Sequence, residues 1–122
     1  MRTWVAIAIG GALGVLARHA VQQLVPRHGE IPWGTFIVNV SGAFVMGFLF
    51  TVIVHRYEVP LWLQEAALVG LIGGYTTFSA VTLETYLMLE RGHAVSAITY
   101  IAGSILGGVL ALFVGIHLGR LS

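Results

Sequence analysis

"GLIGGYTTFS", Gly70 to Ser79, lies inside a long apolar stretch, residues 60–89, that otherwise reads as one helix. That stretch exceeds the roughly 20 residues a straight helical crossing of a ~30 Å hydrocarbon core requires. Gly73 and Gly74 are poor helix formers suited to a C-terminal turn, and Thr76, Thr77 and Ser79 are residue types that cap a new helix start. The expectation is a helix broken near mid-membrane. At such a break the first half-helix leaves unpaired carbonyls, which suit a cation, and the second presents free amide groups, which suit an anion. Irregular backbone at that depth is tolerated only where protein buries it or a cavity is lined by it. A glycine kink that admits a neighbouring helix is the simpler alternative.

The membrane setting follows from composition. Of 122 residues, 57% are hydrophobic and only 9% charged, and the mean hydropathy is +0.91, outside the range of ordinary soluble domains. Four apolar segments, roughly 3–25, 33–54, 60–89 and 94–118, are each long enough to span, and together they make one all-helical transmembrane domain. The connections "PRHGEIP", "HRYEV" and "ERGH" are short, so sequential helices run antiparallel. The N-terminal apolar run resembles a signal peptide, but its removal would leave an odd number of helices, and it is read as the first span. Trp4, Trp33 and Trp62 stand at the starts of spans, at the depth an amphipathic indole prefers.

Charge adds a further expectation. A net charge of +1 offers nothing to nucleic acid, and every fixed cation is an arginine. Arg2, Arg56 and Arg120 fall on one side of the membrane, and Arg18, Arg27 and Arg91 on the other. Three against three gives the positive-inside rule almost nothing to act on, so insertion in both orientations and pairing as an antiparallel homodimer are expected.

Small residues mark the packing faces. Gly103, Gly107, Ala111, Gly115 and Gly119 recur every four residues on the fourth span, as do Ala6, Gly10 and Gly14 on the first and Ala43 and Gly47 on the second. Beside the fourth-span stripe runs another, Tyr100, Ser104 and Gly108, which carries a phenol and a hydroxyl. Asn39, with Ser41 close by, sits near mid-membrane, where a carboxamide must face other helices or a watered path.

Absences narrow the chemistry. Cysteine is missing, and with it disulfides and thiolate metal sites. Glu65 and Glu84 lie towards the two ends of the third span, so no carboxylate stands at the midplane for a proton-coupled cycle. No nucleophile, base and orienting acid cluster, which argues against an enzyme. Passive conduction fits, and a path of amide, hydroxyl and aromatic-edge donors, with the Arg18 field at one mouth, suits an anion.

Three motifs in order, "GGALGVLAR" (Gly10–Arg18), "GTFIVNVSGAFVMG" (Gly34–Gly47) and "GLIGGYTTFSAVTLE" (Gly70–Glu84), resemble the Fluc (CrcB-type) fluoride channel family over essentially the whole chain. The resemblance implies a dual-topology homodimer in the bacterial plasma (inner) membrane, with two pores and a passive, fluoride-selective flux that relieves fluoride toxicity. It implies a structural sodium ion at the dimer centre, held by backbone carbonyls matching Gly73 and Thr76. Pore positions implied are Asn39, Phe78 and Ser79, the fourth-span track Tyr100 and Ser104, and Arg18. The chain departs from the family's "TTFSTF" pattern at Ala80 and Val81, and carries Gly108 where a further track hydroxyl stands in relatives. A small multidrug-resistance-type four-helix exporter is the alternative, but such exporters depend on a first-span glutamate, and this chain has Gly10, Gly11 and Gly14 there. A non-transporting membrane assembly protein is a second alternative, which leaves Asn39 without a role.

Overall fold

The computed structural model describes residues Met1–Ser122 and is entirely helical. Helix α1 spans Arg2–Leu24; α2 spans Trp33–Leu49 and continues as wider π-helical turns over Phe50–Arg56. The next stretch runs through α3 (Leu61–Glu65), π-helical turns at Ala66–Ile72, the short α4 (Gly73–Tyr75) and α5 (Phe78–Glu90), and α6 spans Ala94–Leu121. Four helical stretches are long and apolar enough to cross a membrane: Arg2–Leu24, Trp33–Arg56, Leu61–Glu90 and Ala94–Leu121. The chain is thus a multi-pass membrane protein.

Few side chains are buried inside the protomer, and large apolar residues such as Leu16, Ile98, Leu110 and Phe113 are exposed along the helices. That is the pattern of helices whose outer faces meet lipid or another protein rather than water. A compact apolar cluster of Val81, Met88, Ala97 and Tyr100 joins α5 to α6.

Backbone-to-backbone approach at glycine holds the four helices in two pairs. A Cβ on Gly10 would lie 2.5 Å from the Ala66 carbonyl oxygen, and one on Gly74 would lie 2.7 Å from that of Gly11. These contacts lock α1 onto the stretch that runs from Ala66 to Tyr75. On the other side Gly115 faces the Phe44 carbonyl, Gly47 faces that of Leu112, and Gly119 lies against Thr51 and Phe48, which locks α6 onto α2. The expected packing stripes on the first, second and fourth spans therefore meet neighbours through their glycines.

The expected C-terminal turn at Gly73 and Gly74 is not what the backbone does. Gly73 is right-handed helical, with φ −61° and ψ −37°, and helix continues to Tyr75. Gly74 instead admits the backbone of Gly11, and tertiary proximity outweighs the low helix propensity of glycine. Thr76 and Thr77 are extended, with ψ of 158° and 118°, and Thr77 caps α5 by accepting the Ala80 amide at 3.2 Å.

At the membrane surfaces the connections are tied down. Glu30 takes a hydrogen bond from Ser96 and lies 3.3 Å from His93, joining the α1–α2 loop to the start of α6. Arg2 stacks over the Trp62 ring at 5.7 Å, and Arg56 donates to the Arg120 carbonyl at 3.4 Å.

Candidate functional site

Two extended residues leave Thr77 outside any helical ladder, and Asn39 on α2 completes them. The Thr77 amide donates to Asn39 Oδ1 at 2.8 Å, and Asn39 Nδ2 donates to the Thr77 carbonyl at 2.9 Å. The carboxamide matches the peptide group donor for acceptor, as a neighbouring strand would. The Thr77 N–H, which a continuous helix would give to the Gly73 carbonyl, is thereby diverted. The Thr76 carbonyl accepts no hydrogen bond, while its hydroxyl donates to Ile72 at 3.2 Å. Gly73, whose carbonyl loses the Thr77 donor, and Thr76 are therefore the residues of this turn that could offer backbone oxygens to a cation.

Beside this junction an open cavity of about 350 Å³ is lined by Asn39, Thr76, Thr77, Phe78, Ser104 and Gly108, among others. Phe78, the first residue of α5, is 72% exposed. Ser79 is exposed and its hydroxyl lies 3.3 Å from that of Thr77. Ser104 is buried, yet its Oγ has no hydrogen-bond partner. A buried hydroxyl without a protein partner is costly, by about 1–3 kcal/mol, and at this cavity wall it is free to donate. Gly108 leaves open space where a Cβ would stand, and Val81, which also lines the cavity, is part of the buried α5–α6 cluster.

One turn along α6 from Ser104, Tyr100 is almost fully buried and donates to Glu84 Oε1 at 3.3 Å. Thr35, one turn before Asn39 on α2, donates to Glu84 Oε2 at 3.3 Å and accepts from Gln22 Nε2 at 3.2 Å. A second, larger cavity of about 700 Å³ opens onto this group, with Gln22, Gln23, Arg27, Thr35 and Glu84 in its walls. The polar side chains therefore form two levels, Asn39–Thr77 and Thr35–Glu84–Tyr100, with Ser104 in the cavity beside the first and one helical turn from Tyr100 of the second.

Of the residues expected at the site, Asn39, Thr76, Phe78 and Ser104 share one cavity, and Tyr100 stands one level away. Arg18 is half-buried on α1, makes no hydrogen bond or ion pair, and lines neither cavity. Glu84, Thr35, Gln22 and Arg27 were not among the expected residues. Their signal is spacing: Thr35 and Asn39 are four apart on α2, Thr77 and Glu84 seven apart, and Tyr100 and Ser104 four apart, so each pair shares a helix face.

Comparison with known proteins agrees with this architecture. A family model described as "CrcB-like protein, Camphor Resistance (CrcB)" matches residues 5–116. The chain is 41% identical to the fluoride-specific ion channel FluC of Azotobacter vinelandii over 118 residues, 95% of each chain. It is 40% identical to the protein of the same name from Rhizobium meliloti and 38% identical to that from Chelativorans sp., over 116 residues and 93% of each chain. With four apolar spans, this arrangement of Asn39 against Thr77, and matches that cover nearly its whole length, the chain belongs to the CrcB-like (FluC) family.

Proposed function

We propose that the protein is a passive, fluoride-selective channel of the plasma (inner) membrane, and that its flux relieves fluoride accumulation. The observation that carries the reading is the orphaned Ser104 hydroxyl, set between the Glu84 group and the Asn39–Thr77 junction beside an open cavity. Relatives at about 40% identity bear the name fluoride-specific ion channel, which supports fluoride as the anion. The family is one of ion channels, not enzymes.

The stretch from Leu61 to Glu90 is read as one span broken at Thr76–Thr77. The open cavity beside it, with the part-exposed Thr76 and the exposed Phe78 ring, would face hydrocarbon in a lone protomer, where irregular backbone needs protein or a lined cavity around it. A second, antiparallel copy covers that face, supported by the exposed Phe78 ring and the bare surface at Gly108. The balanced arginines allow the two opposite insertions such a dimer needs. Two copies give two pores. They also bring two pairs of Gly73 and Thr76 carbonyls towards a dyad, where a sodium ion would neutralise their dipoles and fasten the break.

In each pore the ion is passed between donors. Thr35 and Tyr100 both direct hydroxyl protons at the Glu84 carboxylate. Fluoride, a small and strong acceptor, takes the place of a carboxylate oxygen on those donors, whereas chloride is a poorer match for donors held at such spacing. Ser104, Ser79, the second Asn39 N–H and the positive edge of Phe78 carry it onward. Arg18 acts through its field alone.

The exporter alternative is not favoured. The first-span face where it would need an acid is filled by backbone of the Ala66–Tyr75 stretch. The deciding experiment is efflux from liposomes containing the purified protein, with fluoride and chloride followed by electrode under the same sodium salts. Fast fluoride loss without chloride loss is expected; no flux of either ion from well-folded protein would overturn the channel reading.

A further inference from the structure

We infer that Gln22 is a positioning residue for the ion path, holding the Thr35 hydroxyl so that its proton points at Glu84. The inference rests on the reading above, that the Thr35–Glu84–Tyr100 group lies on the path. Thr35 has a single hydroxyl proton and sits in the first turns of α2. A threonine in that setting has a competing choice: it turns its hydroxyl back onto a carbonyl of its own chain three or four residues earlier, here Pro32 or Ile31. That rotamer would spend the proton and leave Glu84 Oε2 without its donor.

Gln22 decides between the two. Its Nε2 donates to Thr35 Oγ1 at 3.2 Å, which occupies the oxygen from the α1 side, and the proton then goes to Glu84 at 3.3 Å. The order of donation runs one way along the chain, from amide to hydroxyl to carboxylate. The Gln22 side chain makes no other hydrogen bond and stands in the wall of the 700 Å³ cavity.

A second observation shows that the seat for Gln22 is built. A Cβ on Gly34, next to Thr35, would lie 3.2 Å from the Gln22 Cα and 3.6 Å from its Cγ. A methyl there would press the end of α1 back from the start of α2 by a few tenths of an ångström. Arg27, on the loop that follows α1, also lines this cavity.

The test is a double-substitution cycle read by fluoride efflux from liposomes, with dimer recovery on size exclusion as the folding control. Gln22→Met keeps the shape of the side chain and removes the donor; fluoride efflux is expected to fall about five- to tenfold. Thr35→Val is expected to fall at least as far, and the double variant no further than Thr35→Val alone, because Gln22 acts only through Thr35. Gly34→Ala removes no polar group but displaces Gln22 by a few tenths of an ångström, and should give an intermediate loss. Wild-type efflux in both Gln22→Met and Gly34→Ala, or losses in the double variant that multiply, would overturn the inference while leaving the channel intact. Wild-type efflux in Thr35→Val would remove the whole group from the path, and absence of fluoride efflux in the wild type would remove the channel reading itself.

Discussion

Replacing Asn39 by aspartate changes one atom and separates the two hydrogen bonds it makes. Oδ1 still accepts the Thr77 amide, now at 2.8 Å from a carboxylate, but the Nδ2 donor that met the Thr77 carbonyl at 2.9 Å becomes an oxygen facing an oxygen. The Thr77 carbonyl is then unsatisfied in a largely buried position, for about 1–3 kcal/mol, before any repulsion between the two oxygens. If that geometry is needed while the ion passes, the barrier rises by the same amount, and each 1.36 kcal/mol is tenfold in rate. Fluoride efflux from liposomes should therefore fall roughly five- to hundredfold in Asn39→Asp. In Asn39→Ala both Thr77 groups lose their partner, so the loss should be larger still, with a lower thermal stability in detergent. Ser41→Ala, on the same helix as Asn39, serves as the control: it removes a hydroxyl 3.0 Å from the Tyr75 hydroxyl of α4 and leaves the Thr77 pair untouched. Efflux within twofold of wild type in both Asn39 variants, from dimeric protein, would show that the junction does not depend on the carboxamide.

Phe78→Ile removes a ring that is 72% exposed in the protomer, so protomer packing should be unchanged while fluoride efflux drops at least tenfold; retained efflux would refute its placement on the path. Tyr100→Phe keeps the buried ring and deletes only the donor to Glu84, and should slow efflux about three- to tenfold while lowering stability by no more than the bond's net worth of about 0.5–1.5 kcal/mol. Gly14→Ala places a Cβ 2.8 Å from the Tyr75 amide nitrogen and against the Leu71 carbonyl, with backbone on both sides, and should cost about 1–3 kcal/mol by thermal unfolding. Gly108→Ala, where nothing lies within 4 Å, should leave the protomer fold unchanged, as judged by helical content in circular dichroism.

The four apolar helices were legible because span length and low charge are set by the bilayer, not by partners. The glycine stripes were legible as packing faces, since a small residue every four positions has few other uses, but which helices they join was not. Gly74 illustrates the gap: helix propensity reads it as a turn, and only the presence of Gly11 opposite makes it a contact. The π-helical turns at Phe50–Arg56 and Ala66–Ile72 left no signature in residue type. Asn39 was legible as a group in need of partners, and the partner, the peptide of Thr77, is a backbone group that sequence never names as special. Glu84 was read as a residue near a span end, because its donors Thr35 and Tyr100 lie on two other helices.

The two polar levels divide the work between them. At Asn39 and Thr77 donors and acceptors are matched one for one, so that level is suited to fixing the backbone and has one amide hydrogen to offer an ion. At Glu84 two hydroxyls, from Thr35 and Tyr100, converge on one carboxyl group, so that level holds two donors side by side. On the proposed path, donors kept in place by Glu84 would need little reorganisation to meet fluoride, and low-dielectric surroundings would favour an ion that uses all of them at short range. Ser104, orphaned between the two, is the donor with no resident acceptor. In the proposed channel its hydroxyl would be the step between a level with two converging donors and a level with one free amide hydrogen, the alternation of stronger and weaker sites that conduction requires.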